Sequence, residues 1–127
     1  MQQKHLFEYA VIRVVPRVER EEFLNIGVMV YCAKLKFLRA KYLLDQERLT
    51  AFSKDLDLME IREHVCGFER ICLGEKDAGP IGKLDMASRF RWLTAARSTV
   101  LQTSKVHPGF CNDAAETLEK LFDQLVA

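Results

Sequence analysis

The chain has 127 residues, of which 49% are hydrophobic and 29% are charged, a balance typical of a folded globular protein and not of a disordered one. No apolar run approaches the roughly 20 residues that a membrane-spanning helix needs, and the N-terminus lacks the apolar core of a signal peptide. We therefore expect a single cytoplasmic domain over residues 1–127. The net charge of +1 gives no broad attraction to phosphates, so nucleic acid is not an expected partner. The missing apolar run means that a membrane is not expected either.

The first part of the chain predicts three antiparallel strands joined by short links. Residues 6–15, LFEYAVIRVV, are rich in β-branched and aromatic side chains, and Pro16 ends their pairing because it has no N–H to donate. Residues 26–33 are apolar on both faces, which is typical of a central strand covered on both sides. Residues 37–42 form the third strand, so the three strands make a meander.

Helices are expected next along the chain. A short helix is predicted near residues 49–52, and an apolar stripe at helical spacing between residues 58 and 72 predicts a longer one. Residues 74–82 contain three glycines and a proline, which indicates a loop. A further helix is predicted over residues 84–94.

The last part of the chain predicts one more strand and one more helix. Residues 98–103, STVLQT, form a fourth strand, and residues 104–113 form a loop. Asp113 is placed to cap the last helix, with Glu116 at the spacing of a capping box. The expected fold is α+β: an antiparallel sheet of about four strands, a three-strand meander plus a later strand, packed by helices mainly on one face.

Four stretches of the chain form a specific set when they are taken together: YAVIRVVPRVEREEFLNIGV, GPIG, RFRWLTAARSTVLQTSKVHPG and LEKLFDQLV. In this order, from about residue 9 to residue 126, they resemble bacterial proteins of the domain-of-unknown-function family 3037. The resemblance implies a small stand-alone bacterial protein with no established activity. Genes of this family often lie beside a gene for a HipA-like protein kinase, which implies an accessory role with that kinase as partner.

The resemblance extends to individual residues in two segments. In the charged connection of residues 17–25, Glu21 stands where a small residue such as glycine is more usual in the family. The residues that do follow the family pattern are Arg20, Glu22, Phe23, Asn25, Gly27, Arg97, Ser98, Thr99, Gln102, Ser104, His107 and Gly109.

The charged connection has a structural and a functional interpretation. Its arginines and glutamates could form a solvated surface, as most runs of charge do. Gly27, just beyond it, indicates a β-bulge or the close approach of another backbone. In the functional interpretation, Arg20 and Asn25 bind a small anion, and Glu22 orients the bidentate guanidinium group of Arg20.

The second segment carries a row of polar side chains. Strand alternation places Ser98, Gln102 and Ser104 on one face, which is normally the solvent face. If this strand is central, partners or a ligand must satisfy these groups. Arg97 is a second candidate for binding an anion. His107 is the candidate catalytic acid or base, although a lone histidine is more often a surface or hydrogen-bonding residue.

Motifs for metals, cofactors and nucleophiles do not emerge from the sequence. The histidines are far apart, no two cysteines form a CxxC pair, and no zinc spacing is present. Cys111 lies four residues after His107, but a buried thiol is the default interpretation of such a cysteine. The segment ending at Lys83 lacks the glycine and the hydroxyl residue of a phosphate loop. We expect reduced cysteines, no metal and no cofactor.

Two functions are compatible with these features. The favoured one is a non-enzymatic binding or accessory module that contacts a partner protein through the two polar segments. The alternative is a small hydrolase or transferase acting on an anionic substrate, with Arg20 and Arg97 binding the anion, Glu22 in support and His107 as acid or base. Convergence of these side chains and Asn25 in one concave pocket would favour the enzyme.

Overall fold

The computed structural model describes residues 4–97 and 99–127, and it confirms the α+β fold class. Five antiparallel strands in these residues form one sheet: β1 (His5–Val14), β2 (Leu24–Cys32), β3 (Phe37–Tyr42), β4 (Leu101–Thr103) and β5 (His107–Cys111). The same residues contain five α-helices: α1 (Gln46–Phe52), α2 (Leu58–Leu73), α3 (Gly79–Gly82), α4 (Met86–Leu93) and α5 (Ala114–Leu125). Within this described part, no helix has both the length and the hydropathy required to cross a membrane.

Strand β1 lies at the centre of the sheet. The order on one side is β3–β2–β1, which is the predicted meander. On its other side, β1 pairs with two short strands in succession: β5 lies opposite residues 5–9 and β4 lies opposite residues 12–14. The two polar segments of the sequence are therefore both connected to β1.

Ser104 fills the gap between β4 and β5. Its Oγ accepts a hydrogen bond from the Val11 N–H at 2.8 Å, and its own N–H donates to the Val11 carbonyl at 2.8 Å. These bonds show that Val11 and the alternate residues of β1 direct their backbone groups toward β4 and β5. Pro108 and Phe110 of β5 lie opposite Glu8 and Leu6, the β1 residues whose backbone groups point the other way. Pro108 and Phe110 consequently direct their own backbone groups away from the sheet.

Two segments predicted as loops contain regular structure. The loop predicted over residues 104–113 is wrong for residues 107–111, which form β5. Proline and glycine suggested a turn there, but an edge strand accepts proline when the missing N–H would point outward. The loop predicted over residues 74–82 contains the helical turn α3, in which Pro80 occupies the first turn, where no N–H is needed.

Gly27 lies beside a β-bulge and also at a close backbone contact. The pairing of β1 with β2 shifts after Ile12, which lies opposite Gly27, so that Arg13 lies opposite Asn25 and β2 contains one extra residue. A Cβ atom on Gly27 would lie 2.8 Å from the Lys41 carbonyl oxygen. The sequence pattern indicated a bulge or a close approach at this residue, and the structure contains both.

Helices pack on both faces of the sheet. On the first face, α1, α2 and α4 cover Ile12, Val14 and Met29, which are fully buried. On the second face, α5 covers Val28 and Val30 through a smaller apolar cluster. Helix α5 packs mainly on β2 and β3, so the half of the second face formed by β1, β4 and β5 is less covered.

Candidate functional site

The charged connection begins with a 3-10 turn at Val18–Arg20 and leads into β2. Glu21 ends this turn with a φ of 57°, a left-handed conformation that costs least for glycine. This conformation gives a physical reason for the small residue expected at the position from the family pattern. The chain here keeps the turn with a glutamate in its place.

Arg20 and Glu22 form an ion pair at the protein surface. The Arg20 Nε lies 2.5 Å from a Glu22 carboxylate oxygen, and both side chains are more than half exposed. An exposed pair of this kind contributes about 0–1 kcal/mol to stability. The two residues line a shallow cavity of about 240 Å³, together with Pro16, Arg17, Phe52, Ser53 and Asp55.

Arg97 stabilises the end of helix α4. Its Nη2 donates to the Trp92 carbonyl at 2.7 Å, and the guanidinium lies 4.9 Å from the Trp92 ring centroid and 5.1 Å from that of Phe68. Burial lowers the pKa of Arg97. These contacts join α4 to α2 and leave Arg97 engaged within the protein. The neighbouring candidate Ser98 lies outside the described residues.

His107 and Gln102 lie on the two short strands. His107 is exposed at the start of β5, opposite Tyr9, and the centroids of the two rings are 5.2 Å apart. Gln102 lies on β4 and donates from Nε2 to the Thr99 carbonyl at 3.0 Å. Neither side chain has a nucleophile or a metal ligand as its partner in these contacts.

The sequence candidates do not line one common cavity in the described part of the chain. His107 lies beside Tyr9, five residues before Val14 at the end of β1, and five residues of strand span roughly 17 Å. Arg20 lies beyond that end of β1, whereas Arg97 borders a separate cavity between α2 and α4. The spatial condition that would favour an enzymatic pocket is therefore not met. The described residues also contain no group of three His, Cys, Asp or Glu side chains placed to hold a metal ion.

Arg13 is the residue that the sequence analysis missed. It projects from the second face of β1, with Asn25 of β2 paired on one side and Gln102 of β4 paired on the other. Its guanidinium carbon lies 3.9 Å from the centroid of the Phe23 ring, close enough for a cation–π interaction. A signal was present in the sequence, because Arg13 is a charged residue of a predicted strand with an apolar neighbour on each side, Ile12 and Val14.

Arg13 has no carboxylate partner among residues 4–97 and 99–127. Its Nε is buried without a hydrogen-bond acceptor, and burial lowers the pKa of its guanidinium group. Buried cations are normally paired, because removing a charge from water is costly. The neighbouring Asn25 donates to the Leu125 carbonyl at 3.3 Å, but its Oδ1 is buried and accepts no hydrogen bond in the described part of the chain.

These side chains form a surface that we call the open face. It is the less covered part of the second face, beside α5, and Val11, which lies between Tyr9 and Arg13 on β1, is buried within it. The open face contains two ring contacts, one between Tyr9 and His107 and one between Phe23 and the Arg13 guanidinium. His107 and Phe23 are exposed to solvent, and Tyr9 and Arg13 are half-buried. The residues of the open face are Tyr9, Arg13, Phe23, Gln102 and His107.

The fold and the site thus define an α+β protein. One face of its sheet is partly uncovered, and its polar candidate site residues lie apart from one another. Residues 9–126 match the family model described as "Protein of unknown function (DUF3037)". The match covers nearly the whole chain, and the protein belongs to this family. Neither a curated protein nor a solved structure matches the chain.

Proposed function

We propose that this protein is a non-enzymatic binding module that contacts a partner protein through the open face. The observation that supports the proposal is Arg13, a half-buried cation stacked on an exposed aromatic ring with no acid beside it among the described residues. Aromatic and arginine side chains are the residue types that contribute most to protein–protein interfaces. Phe23 is 44% exposed, so it is available to a partner without any rearrangement of the sheet.

The first partner to test is a HipA-like kinase. The reason is the gene neighbourhood that the family resemblance implies, and the proposal places both proteins in the cytoplasm. An accessory protein needs a contact surface and no catalytic group. The scatter of Arg20, Arg97 and His107 over separate parts of the surface agrees with that requirement.

The alternative, a hydrolase or transferase acting on an anionic substrate, would use the cavity at Arg20. Two arginines there could bind an anion. The described residues that line this cavity include neither histidine nor cysteine, so Ser53 and the carboxylates would have to perform the chemistry. We favour the binding module because no contact between Ser53 and a carboxylate that could activate it is seen among the described residues of that cavity.

Co-purification tests the proposal. The tagged full chain is expressed with the product of the neighbouring kinase gene, and the kinase is expected to co-elute. Phe23→Ser should reduce the recovered kinase, because it removes the exposed ring of the open face. Met59→Ser is the matched control, since Met59 is 74% exposed and lies on α2, which packs on the first face. No association, together with a small anion bound at Arg20 or Arg97, would contradict the binding module.

A further inference from the structure

The positive charge of Arg13 has no negative charge beside it in the described part of the chain. The Arg13 Nε is buried and the guanidinium stacks on Phe23, a ring that supplies a quadrupole and not a negative charge. Each neighbour in the sheet is an uncharged amide, Asn25 on one side and Gln102 on the other. A guanidinium in this setting has hydrogen-bond donors that an outside acceptor can reach.

A second cation of the sheet shows how the chain completes such an arrangement internally. Lys41 of β3 lies 4.6 Å from the centroid of the Phe122 ring, which resembles the placement of Arg13 over Phe23. Lys41 also forms an ion pair with Glu119, and both Phe122 and Glu119 belong to α5. The covering helix therefore supplies an aromatic ring and a carboxylate together, whereas Arg13 has only the ring among residues 4–97 and 99–127.

We infer that the open face receives a protein segment that places an aspartate or glutamate carboxylate on Arg13. This inference rests on the proposed function and names the chemistry of the partner. The partner would provide what α5 provides to Lys41, a carboxylate beside a cation that is already stacked on an aromatic ring. Arginine suits this contact because its planar fork can donate two parallel hydrogen bonds to one carboxylate.

The charges of the open face favour an acidic protein segment over a nucleic acid. Arg13 is the one permanent cation among its five residues, and one cation matches one carboxylate. Nucleic acid binding instead relies on several cations that neutralise successive phosphates. The aromatic rings of Tyr9 and Phe23, on either side of Arg13 along the face, would contact apolar residues that flank the carboxylate.

The segment would lie across the face and would not add a strand at the edge. At the outer edge of β5, Pro108 lacks the N–H that a sixth strand would need. Recognition by side chains, with the carboxylate on Arg13 as its polar contact, is then favoured over strand addition on this side of the sheet.

A random heptapeptide library displayed on phage tests the inference with the full chain as bait. The wild-type protein is expected to select peptides enriched in Asp and Glu beside apolar residues. Arg13→Glu should reverse the preference to Lys and Arg, and Arg13→Lys should retain it. For one selected acidic peptide, Arg13→Gln should weaken binding roughly tenfold to a hundredfold, the range expected for a charge-assisted contact. Arg70→Glu is the matched control, because it makes the same charge change at an exposed residue of α2.

Circular dichroism of each variant establishes that it is folded, and the loss of affinity in Arg13→Gln keeps the test decisive if Arg13→Glu is unstable. An acidic preference that survives Arg13→Glu, a selection blind to charge, or tighter binding of a single-stranded RNA oligonucleotide would each overturn the inference. The two proposals fail separately. If Phe23→Ser weakens kinase binding but Arg13→Gln does not, the proposed binding module is supported and the proposed contact of a carboxylate with Arg13 is contradicted. Selection of acidic peptides without any kinase binding would support the carboxylate on Arg13 and exclude the kinase as the partner.

Discussion

The second face of the sheet has two halves that the protein treats differently. Under α5, Val28 and Val30 are fully buried against Phe122, and the cation at the margin, Lys41, has a carboxylate from the same helix. Beside α5, the open face has exposed rings and Arg13 without an acid among the described residues. Since both halves share one sheet, the difference lies in what covers them. A helix of this chain completes the first half, and we propose that a partner completes the second.

The largest expected effect comes from removing one phenylalanine from each half. Phe122→Ala should lower the free energy of unfolding by about 3–5 kcal/mol, because its ring is 7% exposed and its loss leaves a cavity. Phe23→Ala should cost less than about 2 kcal/mol, mostly the contact with Arg13. Urea unfolding of both variants measures the difference. Equal losses would show that the open face is as much a part of the core as the covered half.

An intermediate effect is expected at Ser104, which connects the short strands to β1. Ser104→Ala should cost about 1–3 kcal/mol, since the Val11 N–H loses its acceptor. Amide hydrogen exchange should accelerate at Val11 and in β5 more than in β2. Ser53→Ala serves as the control, with an expected change below about 0.5 kcal/mol. Uniform acceleration across the sheet would mean that the open face is not locally anchored by this hydroxyl.

The smallest effect is expected at the ion pair that distinguishes Lys41 from Arg13. Glu119→Gln should cost at most about 1 kcal/mol, because the pair is solvent-exposed. The cost should shrink further at 1 M salt, where the Debye length is about 3 Å. Thermal unfolding at low and high salt measures both values. A large cost that is independent of salt would indicate that Glu119 has a structural role beyond its charge.

The elements that the sequence predicts well are those specified by local patterns. The meander follows from alternation and short turns, and α5 follows from Asp113, whose carboxylate accepts the Glu116 N–H at 3.1 Å as the capping spacing predicted. Strand β5 was missed because its pairing with β1 is remote in the chain, whereas Pro108 gives a local turn signal.

The candidate site was less predictable than the fold. Arg20 and Glu22 do form a pair, but its neighbours come from the α1–α2 connection, which no local pattern identifies. Arg13 gained its neighbours from β2 and β4 only through the bulge and the remote pairing of β4. A site assembled across strands depends on register, and register is not visible in the spacing of one segment.

Pro108 has a consequence for how copies of this chain meet one another. Edge strands can template the addition of further strands and so nucleate fibres. At the rim formed by β5, a strand that approached would find no N–H on Pro108. One imino acid thus removes a hydrogen-bond donor that a further strand would use on this side, so the growth of the sheet is disfavoured at this edge.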